Sequence, residues 1–309
     1  MGRFLNVGII QMPVSREVEE NLTHIEESID AMMRGYHKPE LIVGVEGIAG
    51  GRPETIPGPM TEIFSAIAKK HHIYLIPGTI SEKSDELPEG IVYNSAPIFN
   101  PEGELLNVYR KMAPWRPVER RTMPGKEYVV FDIPEKETKI GVQICYDMNF
   151  PEISRNEALM GAEVLVKLTM DPDELFKINK PLHFARALEN QAYFVSTNAV
   201  GMYGGNHMYG NSMVVGPEGN TIWEAGATAS VATITLDLDV VTRCRQYGTL
   251  FMDHYLQHLK EFAFPMPFAE NWHKAPLFKS LEAAPANIAE YERQVLAAGV
   301  GNITAENGF

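Results

Sequence analysis

Cysteine is nearly absent from this chain. Only Cys145 and Cys244 occur in 309 residues, which excludes a disulfide scaffold and makes a reducing cytoplasm the expected home. Basic residues are also scarce: 27 Lys and Arg stand against 40 Asp and Glu, a formal net charge of −13. That balance argues against nucleic acid or an anionic membrane as a partner, because both demand basic patches. No apolar run approaches the roughly 20 residues that span a bilayer. The chain opens without a basic segment followed by an apolar one, so no signal peptide is expected. Asn6 stands where a myristoylation signal needs Ser or Thr. There is no Ser/Gly-rich linker, charge block or internal repeat. Neither a G-x-x-x-x-G-K-[ST] nor a G-x-G-x-x-G phosphate loop is found, which leaves nucleotide use unsupported. A His-Glu-x-x-His zinc motif is missing as well. His254 and His258 have helical spacing but read as a solvated face, and His71-His72 reads as a helix end.

What the chain does have is a thiol at a sharp corner. The run Gly141-Val-Gln-Ile-Cys-Tyr-Asp-Met-Asn-Phe-Pro-Glu152 begins as an apolar, β-prone strand. It stops at Cys145, where Asp147, Asn149 and Pro151 turn the chain into a helical stretch. A nucleophile at such a strand-to-helix turn is held rigidly at the end of a sheet. A buried structural cysteine is the other reading, since free Cys is among the most buried residue types. Two further segments bear on the choice. Leu41-Ile-Val-Gly-Val-Glu46-Gly47 is another strand that delivers a charged group at its end. In Tyr109-Arg-Lys111-Met-Ala-Pro-Trp115-Arg-Pro-Val-Glu119 a lysine precedes a Pro-flanked tryptophan, with a carboxylate eight residues on. Either charge by itself would read as a solvated surface group.

Taken in order, Glu46, Lys111 and Cys145 resemble the Glu-Lys-Cys triad of the nitrilase superfamily of carbon–nitrogen hydrolases. The segments 109–119 and 144–153, with the Pro-Gly-x-x-Thr-Glu-Ile-Phe helix start at 57–64, are similar to its aliphatic amidase and formamidase branch. The likeness runs from about residue 5 to beyond 270. It implies a four-layer αββα sandwich and a linear-amide hydrolase that needs no cofactor and no metal. It also implies that Glu119 helps place the substrate and the triad lysine. The other enzymatic readings are a nitrilase or an N-carbamoyl hydrolase with the same triad. A papain-like protease would need a base His beside its Cys, a role the resemblance leaves empty. A catalytically silent scaffold is disfavoured because each triad position carries the reactive residue type.

The element pattern agrees with that fold. Strands are predicted at 5–11, 41–45, 73–79, 93–99, 105–110, 139–144, 163–168, 193–198, 211–216 and 231–237. Helices are predicted at 16–34, 60–70, 151–160 and 180–190. Turns at 100–103 and 216–219 make hairpins, so a purely parallel sheet is unfavoured; two sheets face to face, with helices outside, use every amphipathic face. We divide the chain into a hydrolase domain, 1–262, and a C-terminal extension, 263–309. Residues 249–262 and 277–296 read as helical, and 300–309 as frayed. Trp272, Phe278, Leu281, Tyr291 and Leu296 in the extension need something to bury against. The resemblance implies an arm that wraps a neighbouring subunit, hence a homo-oligomer built from dimers, up to a hexamer.

The chemistry follows from the residue types. A free thiol has a pKa near about 8.5, so it needs a base, and Glu46 fills that role. The thiolate attacks the carbonyl carbon of a small amide. Lys111 and the backbone N–H of Tyr146 receive the oxyanion. Glu46 then protonates the departing ammonia and activates the water that hydrolyses the thioester. Trp115 is a candidate wall for the acyl pocket, and Thr169, Met170 and Asp171, after a strand end, are expected to reach the site. The chain departs from the amidase pattern at Gly47, where an aromatic is usual, at Tyr146, where an acid is usual, and at Arg116, Arg120 and Arg121. A lost aromatic predicts a wider pocket, and the arginines are candidates for reading a distal carboxylate.

Overall fold

Alternation along single strands decides the layering. In β1 (Phe4–Gln11), Leu5, Val7 and Ile9 enter one apolar core, while Ile10 enters a second on the opposite face. The computed structural model describes residues 2–279, 281, 285 and 287–297. After β1 the chain adds β2 (Leu41–Val45), β3 (Tyr74–Gly78), β4 (Ile80–Glu82), β5 (Tyr93–Phe99) and β6 (Leu105–Arg110) to one sheet. It then builds a second sheet from β7 (Val130–Ile133), β8 (Thr138–Ile144), β9 (Val164–Thr169), β10 (Tyr193–Asn198), β13 (Met213–Val215) and β14 (Thr221–Glu224). The hairpin of β11 (Val200–Tyr203) and β12 (Asn206–Tyr209) stands between β10 and β13 in the chain. Finally β15 (Ser230–Asp237) returns to the first sheet and runs antiparallel to β1 along its whole length.

The two sheets face each other across a core that joins Leu5, Val7, Leu41 and Val43 to Ile140, Val142, Val166 and Val195. On the outer face of the first sheet, α1 (Val18–Arg34) presents Ile25, Ile29 and Met32, and α2 (Pro59–His71) presents Met60 and Phe64. On the outer face of the second, α3 (Pro151–Leu159) and α4 (Phe176–Asn190) cover Leu165 and Phe194. This is the four-layer αββα sandwich. Each fully buried Val, Leu or Ile contributes roughly 1.5–3 kcal/mol of transfer free energy, so the two sheets are held in register by many such residues. Strands β1, β2 and β3 are mutually parallel, as are β8, β9 and β10. Their C-terminal ends therefore gather charged residues at one edge of the sandwich.

The elements differ from the sequence expectation in places with evident causes. The helix expected at 249–262 begins only at α6 (Tyr255–Phe262). Leu250 and Phe251 adopt positive φ, and Thr249 N–H donates to Asp253 O at 2.8 Å, which makes a turn. A helix not foreseen, α5 (Leu238–Tyr247), precedes it; Asp237 caps it by accepting from Asp239 N–H, and Leu238, Val241 and Cys244 are its buried face. That spacing was present in the sequence. Helix α4 starts at Phe176 rather than 180, because a 3-10 turn at Asp173–Leu175 leads straight into it. Strands β4, β7, β11, β12 and β14 were also missed; each has only three or four residues, too few to display a period. The helix expected over 277–296 is not continuous. Pro276 opens a 3-10 turn, and α7 (Ile288–Ala297) starts after Pro285, with Asn287 Oδ1 accepting from Glu290 N–H. Residues 300–309 and the Trp272 side chain lie outside the described part.

Candidate active site

Glu46 follows β2 directly, and Cys145 follows β8. Because these strands belong to facing sheets, their ends meet. Glu46 N–H lies 3.5 Å from Thr169 O, and Met170 N–H donates to Glu46 Oε2 at 3.1 Å. Gly44 permits the approach of β2 to β3: a Cβ there would sit 1.9 Å from Pro77 O. Cys145 has φ +49°, a strained left-handed conformation for a residue with a side chain. It opens a 3-10 turn, Cys145–Asn149, that runs into α3. The sharp corner expected from the sequence is therefore present, and it is strained.

Lys111 lies just beyond β6 and is buried. Its Nζ is 2.9 Å from Glu46 Oε1 and 2.8 Å from Glu119 Oε2. Two carboxylates thus share one ammonium. Asn94 of β5 spans the same pair, donating from Nδ2 to Glu46 Oε1 at 2.8 Å and to Glu119 Oε1 at 3.2 Å. Glu119 also accepts from Trp115 N–H at 2.5 Å, so the loop folds back onto its own lysine. Arg120 and Arg121, which follow Glu119 in the chain, are both exposed. Arg116 donates to the carbonyls of Glu119 and Thr122, so it braces this loop.

Burial sets the protonation states. It is the main force that pushes the Glu46 carboxyl up, opposed by Lys111 and reinforced by Glu119. A raised carboxyl is a stronger base once ionised, which suits a proton shuttle. Burial, with Glu46 nearby, also drives the Cys145 thiol well above its usual value, against the pull of Lys111. Burial works against the Lys111 ammonium, but Cys145, Glu46 and Glu119 more than offset it and hold the lysine well above its usual value. Burial thus favours the protonated thiol, while the surrounding negative groups favour the charged lysine.

Sequence reasoning treated Asp147 only as a turn residue. It is fully buried and ties the Cys145 turn to the segment around Lys111. Its Oδ2 accepts from Tyr109 OH at 2.7 Å and from Ile144 N–H at 2.9 Å, and its Oδ1 accepts from Ala113 N–H at 2.7 Å. Burial pushes its carboxyl up to about 6 despite Lys111 and these donors. Asn94 was missed as well; its signal was a polar amide early in a predicted strand. Asp147 could have been found from the buried tyrosine ahead of Lys111, which needs an acceptor.

The remaining expected residues fall near the cluster. Trp115 and Tyr146 have ring centroids 6.5 Å apart, and Tyr146 meets Phe150 edge-on at 5.4 Å, so Tyr146 contacts both other rings. Tyr146 is in the first turn of the 3-10 segment, where backbone N–H groups lack intrahelical acceptors. Thr169 is buried at the end of β9. Gly47 has φ +84°, and a Cβ there would lie 3.3 Å from Met170 Cε. Met170 therefore lies directly beside Gly47. Asp171 faces the thiol, with Cys145 Sγ 3.3 Å from its Oδ1. Among the described residues no group of His, Cys, Asp and Glu could hold a metal ion, and no helix is long and apolar enough to cross a membrane.

A thiol on a strained strand end, a buried lysine and a buried glutamate, on an αββα sandwich, agree with the hydrolases of carbon–nitrogen bonds. The chain belongs to the carbon-nitrogen hydrolase family, whose model matches residues 6–246. It is 35% identical over 208 residues to an omega-amidase of Xenopus laevis, covering 62% of this chain and 72% of that one. It is 31% identical over 229 residues to a formamidase of Bacillus thuringiensis, covering 69% and 68%. Among solved structures it is similar to Saccharomyces cerevisiae Nit3, a member of branch 10 of the nitrilase superfamily: 27% identity, TM-score 0.70, covering 79% of this chain and 94% of that one.

Proposed function

We propose that this protein is an amidohydrolase that cleaves a small carboxamide to carboxylate and ammonia through a thioester on Cys145. The observation that supports this reading is the buried Lys111, gripped by Glu46 and Glu119, on the sheet that faces the one bearing the thiol. In the first step Glu46 takes the thiol proton as Sγ attacks the carbonyl carbon. Charge develops on the carbonyl oxygen, for which Lys111 Nζ and the Tyr146 N–H are the donors. Glu46 returns the proton to the leaving nitrogen, the C–N bond breaks and ammonia departs. Glu46 next deprotonates water, which adds to the thioester and releases the acid and the thiol.

The relatives named omega-amidase and formamidase support an amide over a nitrile. They differ in acyl size, and Arg116 is engaged with its own loop, which leaves exposed Arg120 and Arg121 as the candidates for a distal carboxylate. Ammonia release across short aliphatic amides, ω-carboxy amides, lactams, ureido acids and nitriles tests the reading. Turnover of one or more linear amides is expected, unchanged by EDTA. Turnover confined to nitriles or to ureido acids would instead establish the corresponding alternative.

The reading extends to self-association through the C-terminal segment. Phe251, Met252, Phe262, Phe264, Leu277 and Leu296 are exposed there, an apolar run that a monomer leaves in water. Light scattering at micromolar concentration is expected to show a dimer or larger. A 34.5 kDa particle would end this part of the proposal.

A further inference from the structure

The triad chemistry leaves one pair of buried charges unused. Lys167 in β9 and Asp171 just beyond it are both fully buried, with Nζ 2.8 Å from Oδ2. A buried ion pair is tolerated only when its remaining donors and acceptors are met, and here they are supplied from three other elements. Asn179 of α4 donates to Asp171 Oδ2 at 2.9 Å, and Tyr209 of β12 donates to the same oxygen at 3.3 Å. Asn198 of β10 accepts from Asp171 N–H at 2.8 Å. All three side-chain donors fall on Oδ2, so Oδ1 is left for Cys145 Sγ at 3.3 Å.

We propose that Asp171, clamped by Lys167, is a positioning residue for the nucleophile: its Oδ1 accepts the hydrogen bond of the resting thiol, directs Sγ, and keeps the proton on sulfur until Glu46 takes it. The proposal rests on the thioester reading above. It assigns Asp171 to the thiol and not to the substrate. The charges that face Cys145 come from every side of the site. Glu46 follows β2, Lys111 follows β6 with Glu119 behind it, and Lys167 and Asp171 belong to β9 and its loop. His183 of α4 stays neutral, because burial and Lys167 drive it down to about 3. Asp171 is ionised: burial alone would raise it, and Lys167 outweighs burial to hold it at about 2. An ionised acceptor in contact with sulfur favours S–H over the thiolate, because the thiolate would be a second negative charge at the same point.

The test needs no substrate. The full chain is treated with methyl methanethiosulfonate, a small neutral reagent without an amide, and the rate of Cys145 modification is followed by peptide mass from pH 6 to 10. Asp171→Asn should lower the midpoint of this profile by about one pH unit. At neutral pH the modification should then run about three- to tenfold faster, the gain in thiolate being partly offset by its lower nucleophilicity. Asn at 171 leaves Lys167 buried and unpaired, which threatens the fold. The double variant Lys167→Met/Asp171→Asn removes both charges and should shift the midpoint the same way by less, because Asp171 is the closer group. Profiles that coincide with wild type in both variants would overturn the proposal. So would a raised KM for an amide substrate with an unaltered modification profile, since that makes Asp171 a substrate contact. Failure of the thioester reading would show separately, as absent amide turnover in a wild-type protein whose thiol still responds to Asp171.

Discussion

Lys111→Met should lower kcat and kcat/KM together by at least about 10², the scale of a lost oxyanion donor, with KM roughly unchanged. A neutral amide offers an ammonium no charge in the ground state, so the lysine contributes mainly where charge develops. The structure adds a second reason for a large effect. Lys111 is the shared cation of Glu46 and Glu119, and Asn94 cannot neutralise them. Without it the two carboxylates repel each other in a buried site, and Glu46, already raised by burial, takes up a proton and ceases to be a base. Breaking a buried ion pair on one side costs about 3–5 kcal/mol of stability, so kcat must be referred to the folded fraction. A many-fold rise in KM at constant kcat would make the lysine a binding group and require another oxyanion donor.

Cys145→Ala should abolish ammonia release while the chain stays folded. The thioester requires a nucleophilic atom, and nothing else among the described residues is a thiol at this strand end; Cys244 is buried on α5. Alanine meets the same left-handed φ as cysteine, so the strain of the corner is unchanged. Asp171 keeps three side-chain donors when the thiol is gone, which limits the loss of stability. Even a tenth of wild-type ammonia release, in protein of confirmed sequence, would refute a cysteine nucleophile. Iodoacetamide labelling offers a parallel measurement, and it should map to Cys145 rather than Cys244.

Glu46, Lys111 and Cys145 were legible because each sits at a strand end inside a short, distinctive run of residues. The sandwich was legible through the same strands, which read as short apolar, β-prone runs bounded by turn residues. The short strands and α5 were not, since three or four residues show no period and the α5 cap lies hard against β15. For Glu119 the resemblance pointed to the lysine, but local residue order by itself did not. Whether that carboxylate meets Lys111 or a neighbouring arginine depends on how the 112–119 loop closes, and Asn94 and Trp115 N–H decide it.

By itself, then, the sequence determined that Glu46, Lys111 and Cys145 stand at strand ends, and it determined the layered fold, because both depend on local residue order and on short apolar runs. Only the tertiary structure decided that Asp147 ties the Cys145 turn to the lysine segment, and that Lys167 and Asp171 form a pair aimed at the thiol. Read along the chain, Lys167 is a charge in the middle of a buried strand and Asp171 is a loop acid. Their meaning comes from Asn179, Asn198 and Tyr209, which lie 8, 27 and 38 residues beyond Asp171 and converge on it from other elements. A buried charge is stable only where such partners converge, and convergence is a property of the packed chain.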